Sequence, residues 1–226
     1  MNWLNFCCVE CQQRLNIGHH GLCSKCNKKI QRVAYCAGCG VELPYNAKHC
    51  GHCLRVDPLW DHLVVVGKYR EPLSALVHRF KFQNQFWLDR TLGRLLLLAV
   101  HNARRTHQLT LPDMIMPVPL HHLRQWRRGY NQADLLAKQI AQKLDITCRN
   151  DLLIRLKNTH TQRGLTAKER RCNLKNAFAV NSDIRHYQSV ALVDDVITTG
   201  ATLNEISKQL RKAGVRNIQV WGLCRV

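Results

Sequence analysis

Acidic residues are scarce in this sequence of 226 residues. Fifteen Asp and Glu stand against 34 Lys and Arg, so the formal net charge is +19. A field of this sign attracts polyanions, and nucleic acid, nucleotides or an anionic membrane surface are therefore the partners to consider. A basic surface that is simply solvated is the plain alternative.

Long apolar runs and a secretory signal are also missing. The longest apolar run covers residues 95–100, whereas a membrane-spanning helix needs about 18 such residues. The first five residues have neither the basic nor the apolar part of a signal peptide. We therefore expect no membrane span and a reducing cytoplasmic location, where the twelve cysteines indicate metal binding rather than disulfides.

Several signatures of other functions do not occur. Without a GxxxxGK[ST] loop, ATP hydrolysis is not indicated. Without a helix-turn-helix, RRM or zinc-finger helix signature, sequence-specific nucleic-acid readout has no support. The N-terminal region also lacks a glutaminase-like nucleophile, which argues against amide-driven amidotransfer.

Eight cysteines form four CxxC pairs near the N-terminus. Two thiolates in one tight turn bind one face of a tetrahedral ion, and a second pair binds the other face. We predict two structural Zn²⁺ sites, most simply Cys8/Cys11/Cys23/Cys26 and Cys36/Cys39/Cys50/Cys53. An interleaved pairing stays open, as does a redox dithiol. Potential substitute ligands are Cys7, His19, His20, His49 and His52.

Residues 55–58 predict a boundary between a zinc-binding double-ribbon module (1–56) and a second domain (57–226). A short strand is expected at 63–66. The spacing of Leu73, Leu76, Val77 and Phe80 predicts an amphipathic helix. A second helix is expected over about 89–105, with inward side chains at Leu92, Leu95, Leu96 and Ala99.

The segment 190–202 combines a buried strand, two carboxylates, a threonine and glycine loop and the start of a helix. The apolar run 190–193 is typical of a parallel strand buried on both faces. Loop N–H groups and threonine hydroxyls at a helix N-terminus are suited to a phosphate. Asp194 and Asp195, expected at the carboxyl end of the strand, suit the vicinal hydroxyls of a ribose. The plain alternative is a turn with a capping threonine.

Further motifs follow one another along the chain. They are Tyr69…Leu73…Leu76…Lys81-Phe82, Pro117-Val118-Pro119-Leu120…Arg124…Arg128-Gly129-Tyr130-Asn131-Gln132, and Thr161-Gln162…Leu165…Arg170-Arg171…Asn173-Leu174…Ala177-Phe178. The segment 190–202 resembles the phosphoribosyl-pyrophosphate (PRPP) signature of type I phosphoribosyltransferases. With these motifs and the CxxC pairs, nearly the whole chain resembles one subfamily, the ComF (competence protein F, GntX-like) proteins.

This resemblance implies an α/β fold with a mostly parallel sheet flanked by helices, preceded by the Cys-rich module. It implies PRPP or another ribose 5-phosphate as ligand, with Mg²⁺ accompanying PRPP. The binding residues would be Asp194, Asp195, Thr198, Thr199, Gly200, Ala201 and Thr202, with Asp194 and Asp195 as candidate catalytic groups. Segment 162–178 resembles a loop that closes over substrate.

Two basic segments are candidates for contacts with pyrophosphate or nucleic acid. Their arginines are Arg124, Arg127, Arg128, Arg163, Arg170 and Arg171. Around the first three, Trp126 and Tyr130 interleave aromatic faces with charge, a pattern suited to stacking bases. Alternatively, Trp126 and Tyr130 pack in the core and the arginines are solvated.

Two functions compete at this point. On the resemblance, the chain is a competence or DNA-utilisation protein that handles incoming single-stranded DNA, with other components of the uptake machinery as further partners. The alternative is an active phosphoribosyltransferase that transfers phosphoribosyl from PRPP to an unknown acceptor.

Overall fold

The computed structural model describes residues 6–18, 21–120, 129–156 and 176–226. Five helices occur in these residues: α1 (Ser24–Lys29), α2 (Leu73–Phe82), α3 (Asp89–Thr106), α4 (Gln132–Leu144) and α5 (Ala201–Lys212). The strands are β1 (His62–Lys68), β2 (Met114–Pro117), β3 (Thr147–Cys148), β4 (Leu153–Arg155), β5 (Phe178–Val180), β6 (Ser189–Ile197) and β7 (Asn217–Arg225). Short 3-10 helices cover Phe86–Leu88 and Ser182–His186.

The central sheet has five strands in the order β1-β7-β6-β2-β3. Every pairing in it is parallel, whereas β4 and β5 form a separate antiparallel pair. Buried side chains of α2, α3 and α4 pack in one apolar cluster, and those of α5 pack in another. The helices therefore cover both faces, and the predicted α/β class with a mostly parallel sheet is confirmed.

The predicted amphipathic helices are present. The four stripe residues of α2 are fully buried, and α3 buries Leu92, Leu95 and Leu96. Ala99 is only partly buried, and Val100 and Ala103 are the buried residues in the later turns of α3. Helix α4 begins as expected, because Asn131 Oδ1 accepts a hydrogen bond from the Ala133 N–H at 3.0 Å.

Strand β6 is longer than the apolar run predicted. It continues through Ile197, and Val196 and Ile197 pair with Cys224 and Arg225 of β7. Asp194 and Asp195 therefore lie within the strand and not in the loop that follows it. Pairing with β7 continues past the apolar run because backbone hydrogen bonds do not require apolar side chains.

The first part of the Cys-rich region packs into the core of the sheet domain, and the second part forms a separate cluster. Cys8, Leu22, Cys26 and Ile30 belong to the same buried cluster as α2, α3 and α4. Cys36, Cys50 and Cys53 form a small cluster of their own. The division into 1–56 and 57–226 stays a prediction.

None of the described helices combines the length and apolarity needed to cross a membrane.

Candidate functional site

The two carboxylates lie at the carboxyl edge of the central sheet, where all five parallel strands end. Asp194 is half-buried and Asp195 is only 8% exposed. Both accept local backbone hydrogen bonds: Asp194 Oδ1 from the Asp195 N–H at 2.8 Å, and Asp195 Oδ1 from the Val196 N–H at 2.7 Å. These bonds fix the carboxylates against the strand.

Lys81, in the last turn of α2, forms an ion pair with one member of this acidic pair. Its Nζ lies 2.9 Å from Asp195 Oδ1, and the side chains of Lys81 and Asp195 are 19% and 11% exposed. Sequence reasoning included Lys81 only in a family motif and did not predict it as a site residue. The available signal was a lysine directly after the buried Phe80, on a helix otherwise packed against the sheet.

Asp194 has an unusual pKa. Burial and the neighbouring Asp195 carboxylate raise the pKa of Asp194 to about 7, from an ordinary value of 3.8, while the Lys81 ammonium acts in the opposite direction. A carboxyl group with a pKa near neutrality can accept or donate a proton under physiological conditions.

The loop after β6 has the features expected of an anion site. Thr198 and Thr199 are exposed, and Thr199 Oγ1 accepts a hydrogen bond from the Ala201 N–H at 3.4 Å. Ala201 and Thr202 form the first turn of α5, a helix of 12 residues. The N–H groups of that first turn and the helix dipole favour a negatively charged ligand here.

Gly200 is required by both its backbone conformation and its surroundings. Its φ of +72° is left-handed, and a Cβ there would lie 2.7 Å from Cη2 of Trp60. The indole Nε1 of Trp60 in turn donates to the Gly38 carbonyl at 2.7 Å. Trp60 thus joins the loop to the turn between Cys36 and Cys39, a link that no local sequence pattern indicates.

The eight CxxC cysteines form two groups, Cys8/Cys11/Cys23/Cys26 and Cys36/Cys39/Cys50/Cys53, with the four sulfurs of each group within 4.8 Å of one another. Individual Sγ–Sγ distances are 3.7 Å for Cys11–Cys23, 3.6 Å for Cys39–Cys50 and 3.9 Å for Cys36–Cys53. Tetrahedral Zn²⁺ with Zn–S bonds of about 2.3 Å spaces its thiolates about 3.8 Å apart. Both clusters can hold a metal ion, and their geometry fits Zn²⁺.

Backbone hydrogen bonds prepare one thiol in each cluster for metal binding. Burial alone would raise the pKa of Cys8, but bonds from the backbone N–H groups of Cys11, Cys23 and Glu10 lower it to about 6. For Cys50 too, burial would raise the pKa, but hydrogen bonds to the sulfur lower it to about 7. Burial raises the pKa of Cys26 and Cys53, so metal binding must displace protons from those two thiols.

Several predicted residues lie outside the described ranges. They are His19, His20, Trp126 and the six candidate arginines Arg124, Arg127, Arg128, Arg163, Arg170 and Arg171. Within the described ranges, Cys7, His49 and His52 join neither cysteine group. Tyr130 is partly buried, packs against the main apolar cluster and donates to the Phe80 carbonyl, so the core alternative describes this residue better than free stacking.

Comparison with known proteins finds full-length relatives. The chain is 62% identical over 227 residues to Competence protein F of Haemophilus influenzae, covering 100% of this chain and 99% of that protein. It is 42% identical over 219 residues to DNA utilization protein YhgH of Escherichia coli, covering 96% of each. It is 24% identical over 210 residues to Competence protein ComFC of Streptococcus pneumoniae, covering 90% of this chain and 87% of that protein. No family model matches.

Two solved structures are distantly similar. The glutamine PRPP amidotransferase from B. subtilis is 20% identical with a TM-score of 0.38, covering 57% of this chain and 24% of that chain. The purine phosphoribosyltransferase from Pyrococcus horikoshii is 17% identical with a TM-score of 0.35, covering 62% and 84%.

Proposed function

The chain belongs to the competence protein F family, and we propose that it acts in the cytoplasm in competence or DNA utilisation, handling single-stranded DNA and holding a ribose 5-phosphate group at the acidic edge of its sheet. The observation that carries this proposal is the acidic pair beside an exposed threonine loop, in a chain with a net charge of +19. Each part of the proposal rests on separate chemistry.

DNA binding is supported by charge. Phosphates along a strand attract Lys and Arg, and affinity gained in this way falls steeply as salt rises. The candidate arginines of the two basic segments would supply these contacts. No base-specific readout is proposed, so affinity for different sequences should be similar.

The ribose-phosphate site is supported by the arrangement of β6, the loop and α5. The 5-phosphate would lie against Thr198, Thr199 and the N–H groups that begin α5. The ribose hydroxyls would then face Asp194 and Asp195. Because Lys81 already contacts Asp195 at 2.9 Å, the site carries one compensating cation before any ligand arrives.

We further propose that each of the two cysteine clusters holds a structural Zn²⁺ ion. Four thiolates leave no open coordination position, so these ions would stabilise the fold and take no part in chemistry. Mg²⁺ is expected only together with PRPP. The ion prefers several oxygen ligands, and Asp195 is occupied by Lys81 while the raised pKa of Asp194 disfavours its ionised form.

The test compares wild type, Asp194→Asn/Asp195→Asn and the matched control Asp183→Asn, whose side chain is 56% exposed on a 3-10 helix. Binding of a labelled single-stranded oligonucleotide over a salt series, PRPP binding by calorimetry and transformation or growth on DNA are measured on the same proteins. We expect the double variant to lose PRPP binding and biological function while keeping DNA affinity. The control should behave as wild type.

Two results would contradict the proposal. Wild-type affinity for DNA that is weak at low salt, or independent of salt, would remove the DNA-handling part. PRPP binding that survives in the double variant would place the ribose phosphate elsewhere.

Catalysis of phosphoribosyl transfer is the second candidate function. In that reaction the bond from ribose C1 to pyrophosphate breaks, a bond from C1 to the acceptor forms and pyrophosphate leaves. Asp194, with its pKa of about 7, suits the role of a base that takes a proton from the acceptor.

Pyrophosphate release distinguishes this candidate. Wild type is incubated with PRPP, Mg²⁺ and a panel of nucleobases, with Asp194→Asn as the comparison. Release that requires both an acceptor and Asp194 supports transfer. If the protein binds PRPP but releases no pyrophosphate with any nucleobase of the panel, the result contradicts transfer and supports a binding function.

A further inference from the structure

Three aromatic side chains are exposed at the end of α2 and in the 3-10 helix that follows it. Phe82, Phe86 and Trp87 are 59%, 56% and 55% exposed, and we call them the aromatic surface. Side chains of this size are normally buried, and a cluster of exposed ones marks an interaction site.

The aromatic surface is held in place from beneath. Leu88, directly after Trp87, is fully buried, as is Phe80 two positions before Phe82. The Phe86 ring meets that of Trp87 edge to face at 5.5 Å between centroids, and that of Tyr130 at 6.3 Å. These packed neighbours limit the orientations available to Phe86 and Trp87, so their exposed faces form a fixed platform.

The charge around this platform favours an anionic partner. Residues 72–88 contain no Asp or Glu. The first carboxylate beyond them, Asp89, is already engaged, because it accepts from the Arg90 N–H at 2.7 Å and from Gln139 Nε2 at 3.0 Å. The exposed Arg90 lies within one helical turn of Trp87, where it can meet a phosphate.

The platform is joined to the candidate ribose-phosphate site through the end of α2. Lys81 reaches Asp195, and Phe82 is its neighbour in the chain. A strand held with one ribose at the acidic pair would stack further bases on Phe82, Phe86 and Trp87. Every nucleobase offers a π face to an aromatic ring, so such stacking accepts any sequence.

We propose that the aromatic surface formed by Phe82, Phe86 and Trp87 is a stacking platform for the bases of single-stranded nucleic acid. The inference rests on the proposed function and adds to it the surface that holds the bases. Phosphate contacts would account for the salt dependence of binding, and this platform would account for any dependence of affinity on the presence of bases.

The experiment measures anisotropy of two labelled strands of about 12 nucleotides, one of deoxythymidine and one of abasic sites with the same phosphates. The proteins are wild type, Phe86→Ala, Trp87→Ala, Trp87→Phe and the control Tyr45→Ala, which removes a ring that is 73% exposed in the Cys-rich region. Each alanine variant should lose about five- to a hundredfold in affinity for the thymidine strand. Its affinity for the abasic strand should be unchanged, and Trp87→Phe and Tyr45→Ala should bind as wild type.

The outcomes separate this inference from the proposed function. If wild type binds the thymidine strand and both alanine variants bind it equally well, the platform is wrong and DNA handling stands. If wild type binds neither strand, DNA handling itself fails. A loss of affinity that is equal on both strands also overturns the platform, because it reports phosphate contacts. Unchanged melting temperatures confirm that the variants fold.

Discussion

The two cysteine clusters share one motif but are integrated differently into the molecule. In the first, Cys8 and Cys26 are buried in the same apolar cluster as α2, α3 and α4, together with Leu22 and Ile30. In the second, Cys36, Cys50 and Cys53 pack with one another and with few apolar neighbours. One CxxC pattern therefore serves both as a part of the main core and as an almost independent knuckle.

The hydrogen bonds and ion pairs around the two clusters differ in the same way. Near the first, Arg79 of α2 donates to the Val9 carbonyl at 2.9 Å and pairs with Glu10 at 2.6 Å. The second is attached through backbone and indole bonds: the Leu63 N–H donates to Ala37 at 2.6 Å, and Trp60 donates to Gly38. Loss of the first cluster should therefore lower the stability of the whole domain. Loss of the second cluster should mainly affect the loop at Gly200.

Removal of both metals should have the largest effect. Chelation is expected to cost on the order of 10 kcal/mol of folding free energy where the ion is the main stabiliser. Residues 34–54 should then exchange their amide hydrogens fully, whereas residues 21–30 keep partial protection through their apolar contacts. Hydrogen exchange with mass spectrometry, beside a metal count of two per chain before chelation, checks this. Equal loss of protection in both segments would contradict the claim that the two clusters are integrated differently into the fold.

A matched pair of leucine variants tests the core contribution without touching a ligand. Leu22→Ala removes a side chain that is 5% exposed in the main cluster and should lower the unfolding free energy of the domain by about 2–5 kcal/mol. Leu43→Ala, beside the second cluster, should leave that free energy unchanged. Urea unfolding followed by circular dichroism gives both values. Similar losses in the two variants would show that the second cluster is also part of the core.

The raised pKa of Asp194 predicts a pH dependence of stability that is independent of both cysteine clusters. The folded protein keeps Asp194 protonated up to a pH of about 7, whereas an unfolded aspartate ionises near 3.8. Folding therefore takes up a proton between these values, and stability falls as pH rises through them. Asp194→Asn should be more stable than wild type by on the order of 4 kcal/mol at pH 8 and equal to it at pH 3.

Thermal unfolding from pH 3 to 8, with metal content measured alongside, checks the Asp194 prediction. A pH dependence that survives in Asp194→Asn would assign it to other groups. The increase in stability should coincide with loss of PRPP binding, as is common when a strained site residue is replaced.

The smallest expected effect is at the Trp60 link. Trp60→Phe removes the donor to Gly38 together with the outer edge of the indole that lies against Gly200. The lost hydrogen bond should cost about 1 kcal/mol. Amides of residues 36–39 should exchange about fivefold faster, while residues 21–30 do not change. Trp87→Phe, at an exposed indole, is the control. If residues 36–39 exchange as in wild type, this hydrogen bond does not hold the second cluster to the domain.

Much of the fold could be predicted because its signals are local. The stripe Leu73, Leu76, Val77 and Phe80 shows helical periodicity, and all four residues are buried. The cap at Asn131 is likewise encoded within a few residues. The end of β6 was predicted too early, because pairing with β7 extends the strand to Ile197 and no local pattern records that pairing.

The sequence by itself determined the four CxxC pairs, the acidic pair and the glycine at position 200, since spacing and charge are properties of neighbouring residues. It indicated the α/β class through the family resemblance of its motifs. Tertiary structure alone decided which thiols share a cluster and that one cluster enters the main core. It also decided that Lys81 meets Asp195, that Trp60 covers Gly200, and that Phe82, Phe86 and Trp87 stay exposed. These features join residues far apart in the chain, or depend on what packs nearby, and the packing of the sheet and helices sets both.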